Sequence, residues 1–284
     1  MISGAVWITG AGGLVGSHLL RLAPEGEGVA PVQPLTRSDV DLCDFAAVSR
    51  LFAAHPPAAI IHAAARSRAV ACQQEPAAAF RENVAVTRHL ATLADGIPFL
   101  FLSTDNVFDG RKGNYVESDA VNPLSVYGET KARAEEVVLA NPRHTVVRLA
   151  LNTGTSPRGD RSFTEQMRMT ARRGEAVRLF IDEFRTPLPV QVTARALWEL
   201  LQRDRPGLYH LGGSERLSRF QTGSLVAERW PELRGKLEEC SVKDYTGPPR
   251  TADATLISTR LQALLSFRLP GLTEWLAAHP EELC

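Results

Sequence analysis

The sequence predicts an α/β fold, a doubly wound parallel sheet carrying a smaller mixed C-terminal lobe. Short apolar runs rich in β-formers alternate with longer stretches of helical spacing, the rhythm of strand–helix–strand units. The strand runs are almost continuously apolar, as in Phe99-Leu100-Phe101-Leu102, which fits burial on both faces of a sheet. A glycine-rich turn joins the first strand to the first helix. With 284 residues, 44% of them hydrophobic, the chain can build one large core, or a larger unit with a smaller partner packed on it.

In chain order, residues 5–9 read as a strand, 14–22 as a helix, 32–36 as a strand, 45–54 as a helix and 59–62 as a strand. Residues 77–93 form one helical stretch, followed by a strand at 99–103, a helix at 124–139 and a strand at 145–149. After about residue 150 the rhythm loosens. Residues 154–160 are a polar loop with glycine and proline, 161–173 an amphipathic helix, 193–202 a helix and 207–211 a short strand. Residues 212–284 read as short helices broken by Pro231, Pro248, Pro249 and Pro270. The expected division is a first domain over 1–150 and a mainly substrate-binding lobe over 151–284, with segments returning to the main sheet.

The 32 basic and 32 acidic residues balance, so no broad field for nucleic acid or anionic lipid is expected. Cys43, Cys72, Cys240 and Cys284 are far apart and form no Cys-x-x-Cys pair. Neither a disulfide framework nor a metal site is expected, and a reducing cytoplasm is the expected compartment. The apolar stretch at 5–20 has no basic segment before it and is punctuated by glycine, so it reads as a buried strand, turn and helix. No run approaches the roughly 18 apolar residues of a membrane span.

The first strand runs into Thr9-Gly10-Ala11-Gly12-Gly13-Leu14-Val15-Gly16. Such a turn lets backbone approach a pyrophosphate, and the helix N-terminus adds N–H groups and a positive dipole end. Glycine spacing alone also describes a tight corner without ligand; the position between first strand and first helix points to a dinucleotide-binding (Rossmann) turn. After the second strand comes Thr36-Arg37-Ser38-Asp39. Arg37 suits a 2′-phosphate, since a guanidinium grips phosphate at two points, and NADPH is the expected cofactor. Asp39, a helix cap or a partner for a ribose hydroxyl, keeps NADH open.

Tyr127 and Lys131 stand four apart on a helix and share one face. A free tyrosine has a pKa of about 10, too high for acid–base work near neutrality. An ammonium held close favours the phenolate, so the pair is expected to lower the phenol's pKa. The preceding strand ends at Ser103-Thr104-Asp105, and strand C-termini of such a sheet face the ligand crevice. Ser103 or Thr104 is therefore a candidate donor to a substrate carbonyl beside Tyr127.

These residues resemble the extended short-chain dehydrogenase/reductase family, and within it the dTDP-4-dehydrorhamnose reductase group. The resemblance rests on residues 9–16, Asp41-Leu42-Cys43-Asp44, His62-Ala63-Ala64-Ala65, the octapeptide 103–110 and the Tyr127/Lys131 pair, spanning roughly 5–150. It implies a catalytic triad of Thr104, Tyr127 and Lys131. Hydride would pass from nicotinamide to a sugar ketone, with Tyr127 supplying the proton and Lys131 also binding the nicotinamide ribose. It further implies Gly10, Gly12, Gly13, Leu14, Val15, Gly16 and Arg37 against the phosphates, Asp41 and Leu42 by the adenine, and Ala63, Ala64, Ala65 and Ser103 along the cofactor. Asp105, Asn106 and Arg185 are the candidate substrate contacts, Arg185 standing where the family shapes the substrate pocket. The family usually has tyrosine at Asn106 and Trp-x-Tyr at Leu151-Asn152-Thr153, aromatics that flank the sugar.

The expected ligand is a nucleotide sugar, and a homodimer is a candidate assembly. A dehydratase is disfavoured because Asn106 cannot act as an acid. A sugar-nucleotide epimerase remains open, although those enzymes retain NAD and Arg37 argues for NADPH. A non-catalytic, NADP-binding regulatory subunit, like that of methionine adenosyltransferase, is the other alternative.

Overall fold

The computed structural model describes residues 4–26 and 30–282; Cys284 lies outside them. Six strands form the central sheet: β1 (Val6–Thr9), β2 (Val32–Leu35), β3 (Ala59–His62), β4 (Phe99–Thr104), β5 (Thr145–Leu149) and a later strand, Gly207–Leu211. Their order is β2-β1-β3-β4-β5 followed by Gly207–Leu211, and every pairing is parallel. This is the predicted class. The chain leaves β1 for β2 on one side and returns to β3 on the other, so the order reverses between β1 and β3. Ligands of open α/β sheets bind at such a switch point, beyond the strand C-termini.

Alternation along each strand divides the core in two. Val6, Ile8, Ala59, Ile61, Leu100, Leu102, Val147 and Leu149 enter one cluster. Trp7, Ile60, Phe99, Phe101 and Val146 point to the other. Strands buried on both faces show no polar alternation, which is why they read as continuous apolar runs. Pro34 lies in β2, an edge strand, where its missing N–H removes no ladder bond to an outer neighbour.

The helices are α1 (Leu14–Arg21), α2 (Phe45–Ala54), α3 (Ala69–Gln74), α4 (Pro76–Phe80), α5 (Val86–Leu93) and α6 (Val126–Leu139). Two boundaries differ from expectation. The single helix expected at 77–93 is interrupted by a π turn, Arg81–Ala85, between α4 and α5. Helix α6 starts at Val126 because Ser125 caps it, its hydroxyl accepting from the Gly128 N–H at 3.2 Å.

Beyond β5 come β6 (Asn152–Thr153), α7 (Phe163–Arg172), β7 (Val177–Phe180), β8 (Phe184–Arg185), β9 (Leu188–Pro189) and α8 (Val190–Arg203). Gly207–Leu211 is β10; then follow β11 (Leu217–Ser218), α9 (Arg219–Ala227), β12 (Leu237–Cys240), α10 (Thr259–Gln262) and α11 (Leu272–Ala278). Where only short helices were expected after residue 212, β11 pairs antiparallel with β8 and β12 parallel with β7. Helix α8 docks on α1, with the Trp198 indole N–H donating to the Leu19 carbonyl at 2.9 Å. Among the described residues no helix is long and apolar enough to cross a membrane.

Candidate active site

The site gathers at the C-terminal ends of β1, β3 and β4. Gly10 turns the chain with φ +68, and a Cβ there would meet backbone atoms of Ala63 and Ala64 at 2.7–2.8 Å. Close approach of the β1 turn to the end of β3 thus requires glycine. Gly12 is different: its φ is not positive and an added Cβ would meet nothing within 4 Å. Gly13 caps α1 without any side-chain bond, and Gly16 is buried in its first turn. Among the described residues the N–H groups of Gly12, Leu14 and Val15 meet no acceptor. An open glycine beside unpaired N–H groups at a helix N-terminus fits the pyrophosphate of a dinucleotide.

A one-directional chain of hydrogen bonds locks this turn to its neighbours. The Ala64 N–H donates to Thr9 Oγ1 at 3.2 Å, and Thr9 Oγ1 lies 2.6 Å from His62 Nδ1. On the other side, His62 Nε2 is 3.1 Å from Thr87 Oγ1, whose hydroxyl donates to the Asn83 carbonyl at 2.6 Å. The network assigns the proton to Nε2 and leaves Nδ1 as acceptor. Burial and the Lys131 charge push the His62 pKa down to about 3, so the ring stays neutral. His62 is thus a fixed link between β1, β3 and α5.

The end of β2 is closed by Asp39, whose carboxylate accepts from the Thr36 N–H at 2.7 Å and the Thr36 hydroxyl at 2.6 Å. Those bonds hold its pKa below the usual range, and Asp39 serves as the turn's clasp. The Arg37 side chain is 91% exposed and reaches Glu82 at 3.1 Å. The other Glu82 oxygen pairs with Arg66 at 3.0 Å. Asp41 is exposed and accepts from the Cys43 N–H at 2.9 Å, while Leu42 packs on the core. Ala63 and Ala64 are half-buried and Ala65 is exposed.

Thr104, at the end of β4, lies beside Tyr127. Its hydroxyl donates to Asp105 Oδ1 at 3.1 Å and accepts from the Asn106 side-chain amide at 3.1 Å. Burial pushes the Tyr127 phenol well above its usual pKa; a hydrogen bond with Thr104 opposes this, and the Asp105 charge adds to it. The expected lowering of the phenol is therefore reversed in the protein alone: burial dominates, and the opposing influence is Thr104, while Lys131 is bonded to the Leu102 carbonyl. Lys131 is 2% exposed, donates to the Leu102 carbonyl at 2.6 Å and sits 3.8 Å from the Phe101 ring centroid. Burial draws its pKa down to about 7 against the pull of Glu135.

Two expected contacts are corrected. Ser103 does not face the crevice: its hydroxyl donates to Glu135 at 2.5 Å, as alternation along β4 demands when Thr104 faces the site. Arg185 is not free to meet a substrate. It is 3% exposed and its donors are taken by the Phe184 carbonyl, the Thr251 carbonyl and hydroxyl, Asp105 at 3.0 Å and Glu183 at 3.3 Å. Asp105 is correspondingly turned toward Arg185, with Asn106 donating to its other oxygen at 2.8 Å.

Three features escaped the sequence reading. The π turn aims Asn83 inward, where its amide accepts from the Arg66 N–H (2.8 Å) and donates to the Arg66 carbonyl (3.1 Å) and the Thr130 hydroxyl (2.9 Å). Asn83 thereby clamps the segment after β3 to α6. Secondly, the 154–160 loop borders α1 and the segment after β3: the Thr155 carbonyl lies 3.0 Å from His18 Nε2, and Asp160 pairs with Arg68 at 3.3 Å. Buried Glu165 shapes that loop by accepting from the Ser156, Arg161 and Ser162 N–H groups at 2.5–2.9 Å. The third is a buried ion pair behind Lys131, between Glu135 and Arg148 at 2.7 Å.

Comparison with known proteins agrees with this geometry. Residues 4–283 match the model of a family described as RmlD substrate binding domain. The chain is 29% identical over 282 residues to the dTDP-4-dehydrorhamnose reductase of Sinorhizobium fredii, covering 94% of this chain and 93% of that protein. It is 27% identical over 274 residues to the methionine adenosyltransferase 2 subunit beta of Bos taurus, covering 91% and 82%. The crystal structure of dTDP-4-dehydrorhamnose reductase from Bacillus anthracis in complex with NADP superposes with a TM-score of 0.87, at 21% identity and 97% and 98% coverage. That last likeness is one of fold.

Proposed function

We propose, from the premise that this chain belongs to the RmlD substrate binding domain family, that it is an NADPH-dependent reductase of a keto group on a nucleotide sugar. The observation that supports the reading is Thr104 beside Tyr127 at the end of β4, with Lys131 one turn further along α6 and bonded to the Leu102 carbonyl, and a glycine turn with unpaired N–H groups at the end of β1. NADPH, when bound, supplies the hydride. Gly12, Leu14 and Val15 would hold its pyrophosphate, and Arg37 its 2′-phosphate.

The chain's own residues suit proton delivery. A reductase needs its acid protonated at the start, and burial keeps the Tyr127 phenol in that form at neutral pH. Thr104 lies beside the phenol, and its hydroxyl proton, given to Asp105 Oδ1 in the protein alone, would turn to the substrate carbonyl. Lys131, titrating near neutrality, carries charge that favours the phenolate left once the proton has gone. Asn106 and Leu151 stand where the resemblance to the reductase group implies aromatic residues, so a sugar bound there would have fewer aromatic contacts.

The test is calorimetry of NADPH and NADH on the purified protein, followed by a screen of nucleotide-linked 4-keto sugars for NADPH oxidation. The expected result is preference for NADPH, and turnover that falls by roughly 10²–10⁴-fold in Tyr127→Phe. Tight NADPH binding with no oxidation of any keto sugar would establish the non-catalytic reading instead; the bovine relative is named as a subunit, methionine adenosyltransferase 2 subunit beta.

A further inference from the structure

We propose that Glu135 is a positioning residue for Lys131, and that Ser103 and Arg148 fix its carboxylate for that task. Tyr127, Lys131 and Glu135 follow one another at intervals of four on α6, so they form a single column facing β4. Behind the column, four bonds from three donor atoms over-determine the carboxylate. The Ser103 hydroxyl donates at 2.5 Å, Arg148 Nε at 3.1 Å to both oxygens, and Arg148 Nη2 at 2.7 Å. Ser103 and Arg148 are cross-strand partners on β4 and β5, so the same two strands that carry the site also hold the anion. The Glu135 and Arg148 side chains are 4% and 5% exposed.

Arg148 is anchored in turn. Its Nη1 lies 3.3 Å from His210 Nε2, and His210 Nδ1 lies 3.1 Å from the Tyr115 carbonyl. That pattern assigns the His210 proton to Nδ1, with Nε2 accepting from the guanidinium. Burial and Arg148 push the His210 pKa to about 3, which keeps the ring neutral.

The groups around Lys131 explain why an anion is needed. Its ammonium is bonded to one carbonyl and rests over the Phe101 ring, and among the described residues no carboxylate is in direct contact with it. His62 on β3 is neutral, and Tyr127 on the same helix is held protonated. Asp105 acts on Tyr127 and is paired with Arg185. Glu135 is left as the carboxylate acting on the buried ammonium. A charge in a dry site is retained only with a compensating partner, and here the partner stands one helical turn away, held still by strand residues.

The inference rests on the proposed function only for what Lys131 does during reduction; the coupling itself is read in the protein alone. The chain has four lysines, Lys112, Lys131, Lys236 and Lys243, so ¹³C-lysine NMR resolves each, with Lys131 assigned by its loss in Lys131→Met. The titration midpoint of Lys131 is expected to fall by about one pH unit in Glu135→Gln, a tenfold loss of the charged form. Glu135→Gln/Arg148→Gln removes both charges of the pair and preserves folding if the single variant does not; its midpoint should fall by less, yet measurably. A Lys131 midpoint unchanged in both variants would reduce Glu135 and Arg148 to a structural ion pair and overturn the proposal. Because no cofactor or substrate is added, that outcome is separate from failure of the keto-sugar screen.

Discussion

Two glycines in one turn should fail in opposite ways when given a methyl group. At Gly10 an alanine must adopt φ +68, which costs about 1–2 kcal/mol for an L-residue. Its Cβ would also lie 2.7–2.8 Å from Ala64 N, Ala63 C and Ala64 Cα, all backbone atoms that cannot swing aside. Forcing β1 and β3 apart adds about 1–3 kcal/mol, as overpacking does elsewhere. Gly10→Ala should therefore lose about 2–5 kcal/mol of stability, read as a lower urea midpoint. At Gly12 the backbone is ordinary and an added Cβ meets nothing within 4 Å, so stability should hold within about 0.5 kcal/mol. The methyl group would instead occupy the space above the unpaired N–H groups. Calorimetry should show NADPH binding at least about tenfold weaker, or about 1.4 kcal/mol. If Gly12→Ala binds NADPH like the unsubstituted protein, the pyrophosphate does not lie there; if Gly10→Ala unfolds at the same urea concentration, the steric argument is wrong.

Stability should decline as pH falls from about 6.5 to 4.5, before most carboxylates titrate. His62 and His210 have folded pKa values of about 3 against an unfolded value near 6.5, so the unfolded chain binds more protons in this window and stability drops with falling pH. The loss should reach roughly 2 kcal/mol per histidine, and urea melts of His210→Gln should show a flatter pH profile. Asn83→Ala strips the Arg66 N–H of its partner and leaves the Arg66 carbonyl with the weak Cys72 thiol donor; a loss of about 1–3 kcal/mol is expected in the same assay, and a neutral result would deny Asn83 its clamping role. Glu82→Gln removes the carboxylate that holds Arg37, so NADPH affinity should rise a few-fold while NADH affinity stays level. The gain should fade in high salt, and an equal change for both nucleotides would dissociate Arg37 from the 2′-phosphate.

The parts of this protein that could be read from sequence are those where one physical rule dominates. Strands buried on both faces must be apolar throughout, and β1, β3, β4 and β5 were accordingly visible. Two-residue strands such as β6, β8, β9 and β11 have no periodicity to detect and owe their existence to distant partners. The π turn keeps ordinary helical backbone angles at its ends, so only the three bonds made by Asn83 reveal its purpose. Ser103 is legible by alternation: neighbours on a strand face opposite ways, so Ser103 and Thr104 cannot both reach the crevice. Its true partner, Glu135, was marked by its spacing from Lys131. Arg185 was misjudged because Thr251, which takes its guanidinium, is 66 positions away. The reversal of the phenol's shift needed knowledge of burial, which no residue pattern supplies.

The last strand of the main sheet has a consequence for how the chain is assembled. β10 pairs with β5 through residues 207–211, after the intervening segment has been laid down, and α8 arrives just before it to cover α1. A fragment ending near residue 150 would present the unpaired edge of β5 and the bare apolar side of α1 to water. Such an edge recruits other chains. During synthesis, then, the nucleotide-binding half cannot seal itself until the ribosome has passed residue 211, and an early stop in that interval should yield aggregate in place of a smaller working unit.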